Sequence, residues 1–125
     1  MAVQFYICSK CKKIISIIQK SACATVCCGE DMQELKANIT DGATEKHVPV
    51  VSVNGNQVEV RVGSAEHPMV EDHWIEWIAL ETKHGVQRKT LNPGEKPFAA
   101  FALADDVAVA AYAYCNKHGL WKKDI

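Results

Sequence analysis

The sequence lacks several features that would assign it to a broad class at once. No apolar run approaches the roughly 20 residues that a membrane-spanning helix needs, and no basic leader followed by an apolar stretch opens the chain. A formal net charge of -1 over 125 residues gives no general attraction to nucleic acid or to a membrane surface. Internal repeats and low-complexity segments are also missing. We therefore expect a cytoplasmic protein with neither nucleic acid nor membrane among its partners.

The chain does contain six cysteines, and five of them precede residue 30. In a reducing cytoplasm, cysteines at close spacing are more typical of metal ligands than of disulfides. They divide the chain into a cysteine-rich domain, 1–36, and a histidine-bearing domain, 37–125. The first domain has too little apolar material for an independent core, so we expect a bound metal to stabilise its fold.

Two closely spaced cysteine pairs form the first candidate metal site. The four residues are Cys8, Cys11, Cys27 and Cys28. Four thiolates suit a tetrahedral ion, either zinc or a single iron. Because neighbouring side chains diverge on an extended backbone, the adjacent pair predicts a distorted site. Cys23 belongs to neither pair and is interpreted as a spare thiol.

Four short segments, EKHVP, EHPM, HWIEW and CNKHGLW, supply a second set of candidate ligands. The set is His47, His67, His73, Cys115 and His118. A lone histidine is a weak signal, but their joint occurrence beside likely turns and the Cys-x2-His spacing indicate a metal site. Imidazoles suit iron, zinc or copper, and a thiolate adds an electron donor, so redox iron is the interpretation that uses all five. Four coplanar imidazoles would leave the thiolate axial and the opposite position open.

One further histidine and the three tryptophans are left out of the candidate site. His84 is expected in a turn between strands. The three tryptophans, Trp74, Trp77 and Trp121, are interpreted as core packing.

Short strands separated by turns predict an antiparallel β-sandwich for the second domain. The predicted strands are 48–53, 57–62, 74–81, 86–91, 98–103 and 107–114, and shorter ones lie at 3–7 and 14–18 in the first domain. By propensity, the alanine-rich stretch 98–115 is also compatible with a helix. The Asp105-Asp106 interruption and the valines and tyrosines that follow it favour strands.

These motifs together resemble desulfoferrodoxin, the two-iron form of superoxide reductase, over essentially the whole chain. The cysteine pairs resemble that family's desulforedoxin-like iron site, and the four histidine segments resemble its catalytic motifs. The resemblance implies an all-β protein, with a small desulforedoxin-like domain at 1–36 and a seven-stranded immunoglobulin-like sandwich at 37–125. Cys23 is the main departure from common members of the family.

The resemblance also implies roles for individual residues. The four histidines would be equatorial ligands of a catalytic iron and Cys115 the axial one, while the four paired cysteines would hold a second iron. Glu45 would bind the ferric iron at the sixth position, and Lys46 would lie beside the open position. The implied activity is reduction of superoxide to hydrogen peroxide, with rubredoxin or a similar small carrier as electron donor, in a homodimer.

Two other functions are compatible with the same residues. The first is a non-catalytic electron carrier, which predicts no open coordination position. The second is a binding module with zinc on the cysteines and a structural metal on the histidines, which predicts a colourless protein.

Overall fold

A computed structural model describes residues 3–125, so residues 1 and 2 of the predicted first domain lie outside the described part. The chain divides into two compact units, with the boundary between Lys36 and Ala37. Both units are built from β-strands. The one helix among the described residues is α1, a single turn over Thr44–His47, and nothing so short can cross a membrane.

The first unit contains five short strands. They are β1 (Gln4–Ile7), β2 (Ile14–Ile17), β3 (Val26–Cys27), β4 (Glu30–Asp31) and β5 (Gln33–Glu34). One sheet has the order β2-β1-β5, and β3 pairs with β4 in a separate hairpin. Among residues 3–36, the buried apolar residues are Phe5, Cys8 and Met32. So few buried side chains make a small core, in keeping with a unit that needs another source of stability.

The second unit contains seven strands in two antiparallel sheets. They are β6 (Pro49–Asn54), β7 (Gln57–Val62), β8 (Ile75–Thr82), β9 (Val86–Thr90), β10 (Phe98–Ala102), β11 (Ala108–Cys115) and β12 (Gly119–Asp124). One sheet has the order β10-β7-β6 and the other β12-β11-β8-β9. Six of these strands overlap the predicted ones. The last, β12, was missed because GLWKKD begins with glycine, ends in charged residues and shows no alternation.

The hydrophobic core lies between the two sheets. On β7, Val58, Val60 and Val62 are all fully buried, as the alternation of the sequence predicts. They meet residues of the other sheet such as Ile78 and Leu80 in one continuous cluster. Packing between sheets therefore explains the period of two in β7.

The alanine-rich stretch forms strands, which resolves the ambiguity of its sequence. Its second half, β11, pairs with β8 on one side and with β12 on the other. Ala111 and Ala113 belong to the core cluster, while Tyr112 and Tyr114 are buried on the opposite face. A central strand buried on both faces has no polar alternation, so periodicity alone cannot distinguish it from a helix.

Truncation of the core should destabilise the second unit selectively. Ile78→Ala removes a fully buried side chain and should lower the free energy of unfolding by about 2 to 5 kcal/mol. Urea unfolding followed by tryptophan emission measures this, because all three tryptophans lie in the second unit. Ile39→Ala is the matched control: Ile39 is 71% exposed and its loss should cost about 0.5 kcal/mol or less. Equal effects of the two substitutions would contradict this assignment of the core.

Candidate metal centres

Five candidate ligands that are distant in sequence meet at one end of the sandwich. The nitrogen or sulfur atoms of His47, His67, His73, Cys115 and His118 all lie within 4.8 Å of one another. Strand register brings them there. Pro49 at the start of β6 pairs with Val62 at the end of β7, so the segment before β6 lies beside the segment after β7. Cys115 at the end of β11 pairs with both Ile75 and Gly119. Because antiparallel strands run in opposite directions, the start of each strand lies beside the end of its partner, and the candidate ligands lie next to these positions.

The four imidazoles form a closed ring in the order His47, His67, His73, His118. Neighbouring ring centroids are 4.7 to 5.1 Å apart, and neighbouring planes are inclined by 70° to 84°. His47 is therefore diagonal to His73, and His67 is diagonal to His118. Such a ring is the arrangement expected of four ligands around the equator of a single ion.

Hydrogen bonds fix which nitrogen of two rings faces the centre. Nδ1 of His47 lies 2.7 Å from the carbonyl oxygen of Ala43, and Nδ1 of His67 lies 2.7 Å from that of Pro68. A carbonyl only accepts, so both Nδ1 atoms carry the proton, and both Nε2 atoms present lone pairs. These two Nε2 atoms lie 3.2 Å apart. Two facing lone pairs repel each other unless a cation lies between them.

The remaining distances also fit a metal ion. Nε2 of His47 lies 3.1 Å from Nδ1 of His118, and bonds of about 2.1 Å at right angles would separate two nitrogens by about 3.0 Å. Nε2 of His73 is buried and has no hydrogen-bond partner in the described part of the chain. A buried nitrogen without a partner is costly. Coordination of a metal would satisfy it.

Burial keeps three of the imidazoles in the form that binds metals. Removal from water lowers the pKa of His67 to about 4 and also lowers the pKa values of His47 and His73. These rings are therefore neutral at pH 7. Their lone pairs are available for coordination without loss of a proton.

Cys115 approaches the ring of histidines from the core side. It ends β11, is fully buried within the core cluster, and its sulfur lies 3.8 Å from Nδ1 of His118. Burial raises the pKa of its thiol, while the backbone N–H groups of Lys117 and His118 lower it. A thiol in this environment ionises when a cation compensates its charge. The side of the ring that carries Cys115 therefore borders the hydrophobic core.

Glu45 and Lys46, the two predicted charged residues, lie on α1 immediately before His47. Both side chains are exposed, whereas His47 is buried. Burial lowers the pKa of His47, and the charges of these two neighbours act on it in opposite directions, Glu45 raising the pKa and Lys46 lowering it. Within residues 3–125, Lys46 forms no ion pair, whereas Nζ of Lys117 lies 3.9 Å from Asp72. Lys46 is therefore an exposed lysine without an ion pair in that part of the chain, and it precedes the buried His47 directly.

A tight backbone contact holds α1 in place. The carbonyl oxygen of Glu45 accepts hydrogen bonds from the backbone N–H of Ala65 at 2.8 Å and from the Ser64 hydroxyl at 3.2 Å. A Cβ atom on Gly63 would lie 2.6 Å from that same oxygen. Only glycine allows this approach, so the turn after β7 positions the helix that carries His47.

Trp121 contacts two candidate ligands, although the sequence interpretation favoured core packing over a role beside the metal. Its ring is stacked on His47, with centroids 4.9 Å apart and planes inclined by 28°. Its indole N–H donates a 3.0 Å hydrogen bond to the carbonyl oxygen of His118, which also accepts from the Thr40 hydroxyl. Trp121 therefore belongs to the support of the site as well as to the core. Its place in CNKHGLW, three residues after His118, was the available signal.

The four paired cysteines form a second cluster, in the first unit. The sulfurs of Cys8, Cys11, Cys27 and Cys28 lie within 4.8 Å of one another. The Cys11 and Cys27 sulfurs are 3.7 Å apart, and those of Cys27 and Cys28 are 4.0 Å apart. Metal–sulfur bonds of about 2.3 Å in a tetrahedron separate the sulfurs by about 3.8 Å. Positive φ at Cys28 (53°) turns the adjacent pair toward one point, which removes the expected obstacle of diverging side chains.

The ionisation of these thiols also indicates a cation. Hydrogen bonding, chiefly from the backbone N–H of Cys11, lowers the pKa of Cys8 to about 6. Interaction with Cys11 and Cys8 raises the pKa of Cys27 and brings that of Cys28 to about 12. The first thiolate therefore opposes formation of the next ones. Four thiolates coexist here only with a positive ion among them.

Cys23 and His84 belong to neither cluster among the described residues. Cys23 is an exposed free thiol. His84 is exposed in the turn after β8, where its backbone N–H donates to Asp106.

The support from Trp121 can be measured through metal retention. Trp121→Ala removes the stacking and the hydrogen bond, and Trp121→Phe removes only the hydrogen bond. Alanine should accelerate loss of Co²⁺ from the histidine cluster to a chelator by about 10 to 100-fold, and phenylalanine by less. Trp74→Phe is the matched control, because the Trp74 indole N–H has no hydrogen-bond partner in the described structure. Rates equal to that control in both Trp121 variants would contradict a supporting role.

Known proteins share both the sequence and the fold of this chain. The desulfoferrodoxin family model matches residues 39–124. A desulfoferrodoxin homologue of Archaeoglobus fulgidus is 45% identical over 120 residues, which cover 96% of this chain and 95% of the relative. The desulfoferrodoxin of Nitratidesulfovibrio vulgaris is 44% identical over 121 residues, covering 97% and 95% respectively.

Among solved structures, the superoxide reductase of Treponema pallidum superposes with a TM-score of 0.84 at 34% identity. That match covers 99% of this chain and 100% of the other. Sequence and structure therefore agree along the full length of both units. The chain belongs to the desulfoferrodoxin family.

Proposed function

We propose that the protein is a superoxide reductase, which converts superoxide to hydrogen peroxide at a mononuclear iron held by four histidines and Cys115. The observation that carries the proposal is the closed ring of four imidazoles with a buried thiol on one side of it. Similarity to the superoxide reductase of Treponema pallidum supports the same activity. The functional class is that of an oxidoreductase.

Each superoxide takes up one electron and two protons to give hydrogen peroxide, without release of dioxygen. Bound iron supplies one-electron redox chemistry at the centre of the ring. The four histidines and Cys115 would hold this iron, and the thiolate of Cys115 would donate electron density to it. Because Cys115 is buried in the core, we propose that a small anion arrives on the side of the ring away from it.

Lys46 and Glu45 are proposed to control access of superoxide to the side of the ring away from Cys115. The unpaired ammonium of Lys46 attracts the superoxide anion and holds a water that donates protons to the product oxygen. Glu45, one residue earlier on the same helical turn, is proposed to cover the open position in the oxidised resting state and to withdraw when substrate arrives. In this proposal only the exposed side chain of Glu45 moves, because its backbone carbonyl is held by Ala65 and Ser64 and His47 is anchored through Ala43.

We further propose that Cys8, Cys11, Cys27 and Cys28 hold a second iron, giving two iron ions per chain. The sulfur geometry suits a tetrahedral ion, and the small core of the unit gives the ion a stabilising role. In this proposal residues 1–36 are a desulforedoxin-like domain. The seven strands of residues 37–125 are an immunoglobulin-like sandwich, with the strand number which that fold requires.

The family relationship also suggests the physiological setting. We propose a cytoplasmic homodimer that removes superoxide and receives electrons from rubredoxin or a similar small carrier. These proposals rest on the resemblance of the motifs to the desulfoferrodoxin family.

Product analysis tests the proposed reaction directly. The iron-loaded protein is reduced, exposed to a flux of superoxide, and followed by the absorbance of the oxidised iron together with hydrogen peroxide and dioxygen. We expect peroxide without dioxygen. Dioxygen at half the superoxide consumed would identify a dismutase instead. An iron protein that does not react would be an electron carrier, and a colourless zinc protein would be a binding module.

Removal of the Lys46 charge should slow the encounter with superoxide. For Lys46→Ala we expect a second-order rate constant about 10-fold lower, with a weaker dependence on ionic strength, because the charge that attracts the anion is lost. Lys46→Arg keeps that charge and should retain most of the rate. Pulse-generated superoxide with optical detection measures both.

Lys83→Ala is the control, since Lys83 follows the opposite end of β8 from His73. Iron content should equal that of the wild type in all three variants. An unchanged rate in Lys46→Ala would remove this lysine from the mechanism.

A further inference from the structure

Asn116 occupies the turn after β11, and its side chain reaches back to the segment that carries His73. Its Oδ1 atom accepts a 3.0 Å hydrogen bond from the backbone N–H of Trp74. Its Nδ2 atom donates a 3.0 Å hydrogen bond to the backbone carbonyl of Asp72. One side-chain amide therefore holds the backbone on both sides of His73.

His73 depends on its backbone more than the other buried histidines do. The rings of His47 and His67 are anchored through Nδ1 to the carbonyl oxygens of Ala43 and Pro68. Across residues 3–125, no hydrogen bond holds the ring of His73, and its buried Nε2 is without a partner. The direction of this ring therefore follows from where its backbone lies.

The strand ladder is irregular at the point where this backbone meets β11. Tyr114 pairs with Trp77 but Cys115 pairs with Ile75, so a register shift lies between the two pairs. Beyond it, the backbone N–H of Asn116 makes a long 3.3 Å bond to the carbonyl of Trp74. A bulge of this kind interrupts regular pairing. The two side-chain hydrogen bonds of Asn116 add to this long backbone bond and connect β11 to the segment of His73.

We propose that Asn116 is a positioning residue for the histidine centre. It connects the turn between Cys115 and His118 to the backbone of His73. Through this connection it keeps the ligand nitrogen of His73 within 4.8 Å of the other four ligand atoms. The inference rests on the proposed five-ligand centre and adds a residue whose role nothing in the ligand motifs assigns. A hydrogen-bonded support of this kind commonly determines metal affinity.

Asn38 offers a matched control within the same unit. Its Nδ2 atom donates to the carbonyl of Lys122 at 3.2 Å, and its Oδ1 atom accepts from the backbone N–H of Lys122 at 2.9 Å. Asn38 thus makes the same two kinds of bond to a backbone that carries no candidate ligand. Asn116→Asp and Asn38→Asp each replace one donor with an acceptor and add one negative charge. Only the first change affects the segment of His73.

The test uses the full chain loaded with Co²⁺. Its visible bands report the ligand geometry, and its transfer to a chelator gives the rate of loss from each site. For Asn116→Asp we expect shifted bands of the histidine centre and loss about 10 to 100-fold faster. Asn38→Asp should keep the wild-type bands and rate. The four-cysteine cluster, which neither substitution touches, serves as internal reference.

A neutral pair separates the loss of hydrogen bonds from the added charge. Asn116→Ala removes both side-chain bonds, and Asn38→Gly does the same at a position whose φ of 62° glycine tolerates. Asn116→Ala should also accelerate hydrogen exchange of the Trp74 amide in the metal-free protein, which establishes the lost bond independently of metal. Urea unfolding shows that each variant is folded.

Two different results would overturn the inference, and only the second would also overturn the proposed five-ligand centre. Bands and loss rates of the Asn116 variants equal to those of the Asn38 variants would show that Asn116 does not position His73, and would leave the proposed centre intact. Wild-type protein that binds no Co²⁺ through histidine nitrogens would overturn the five-ligand centre and this inference with it.

Discussion

The histidine centre depends on one constraint: nitrogen lone pairs of neighbouring imidazoles face each other at about 3.2 Å and repel unless a cation lies between them. Nε2 atoms of His47 and His67 point toward each other with their protons committed elsewhere, while Nε2 of His73 is buried without a partner. Such an arrangement is unfavourable for a protein alone and favourable around a cation. The same reasoning holds for the cysteine cluster, where each thiolate formed makes the next one harder to form. Both units are therefore built for positive ions that their side chains surround.

Backbone contacts from the surrounding structure help to hold these donors in place. Carbonyl oxygens orient two of the imidazoles, Gly63 lets a turn pack against α1, and Trp121 holds the carbonyl of His118. Strand register then brings the anchored segments together. Among residues 3–125, Lys46 on the exposed turn α1 forms no ion pair and directly precedes the buried His47. Its positive charge is what the proposed reduction of superoxide would use to attract a small anion.

Much of this arrangement was predictable from local patterns. Alternating valines indicated β7, and the turn between it and β6 follows from Gly55, whose φ is 60°. Close spacing of the cysteines indicated the first cluster of candidate ligands before any geometry was known. The joint occurrence of four histidine-bearing segments indicated the second. By contrast, β12 has no recognisable period, and the single turn α1 is too short to leave one. Trp121 was interpreted as core because a tryptophan packs in most proteins, and only its contact with His47 shows a second role.

The sequence by itself determined the chemistry available: which side chains can bind a soft or borderline metal, and how many lie close together along the chain. Those properties reside in residue types and short spacings. Tertiary structure decided the order of the four histidines around the ring, the burial of Cys115 in the core, and the stacking of Trp121 on His47. These depend on strand register between segments up to 71 residues apart, such as those of His47 and His118. Register is set by pairing and core packing across the whole unit, which no local pattern contains.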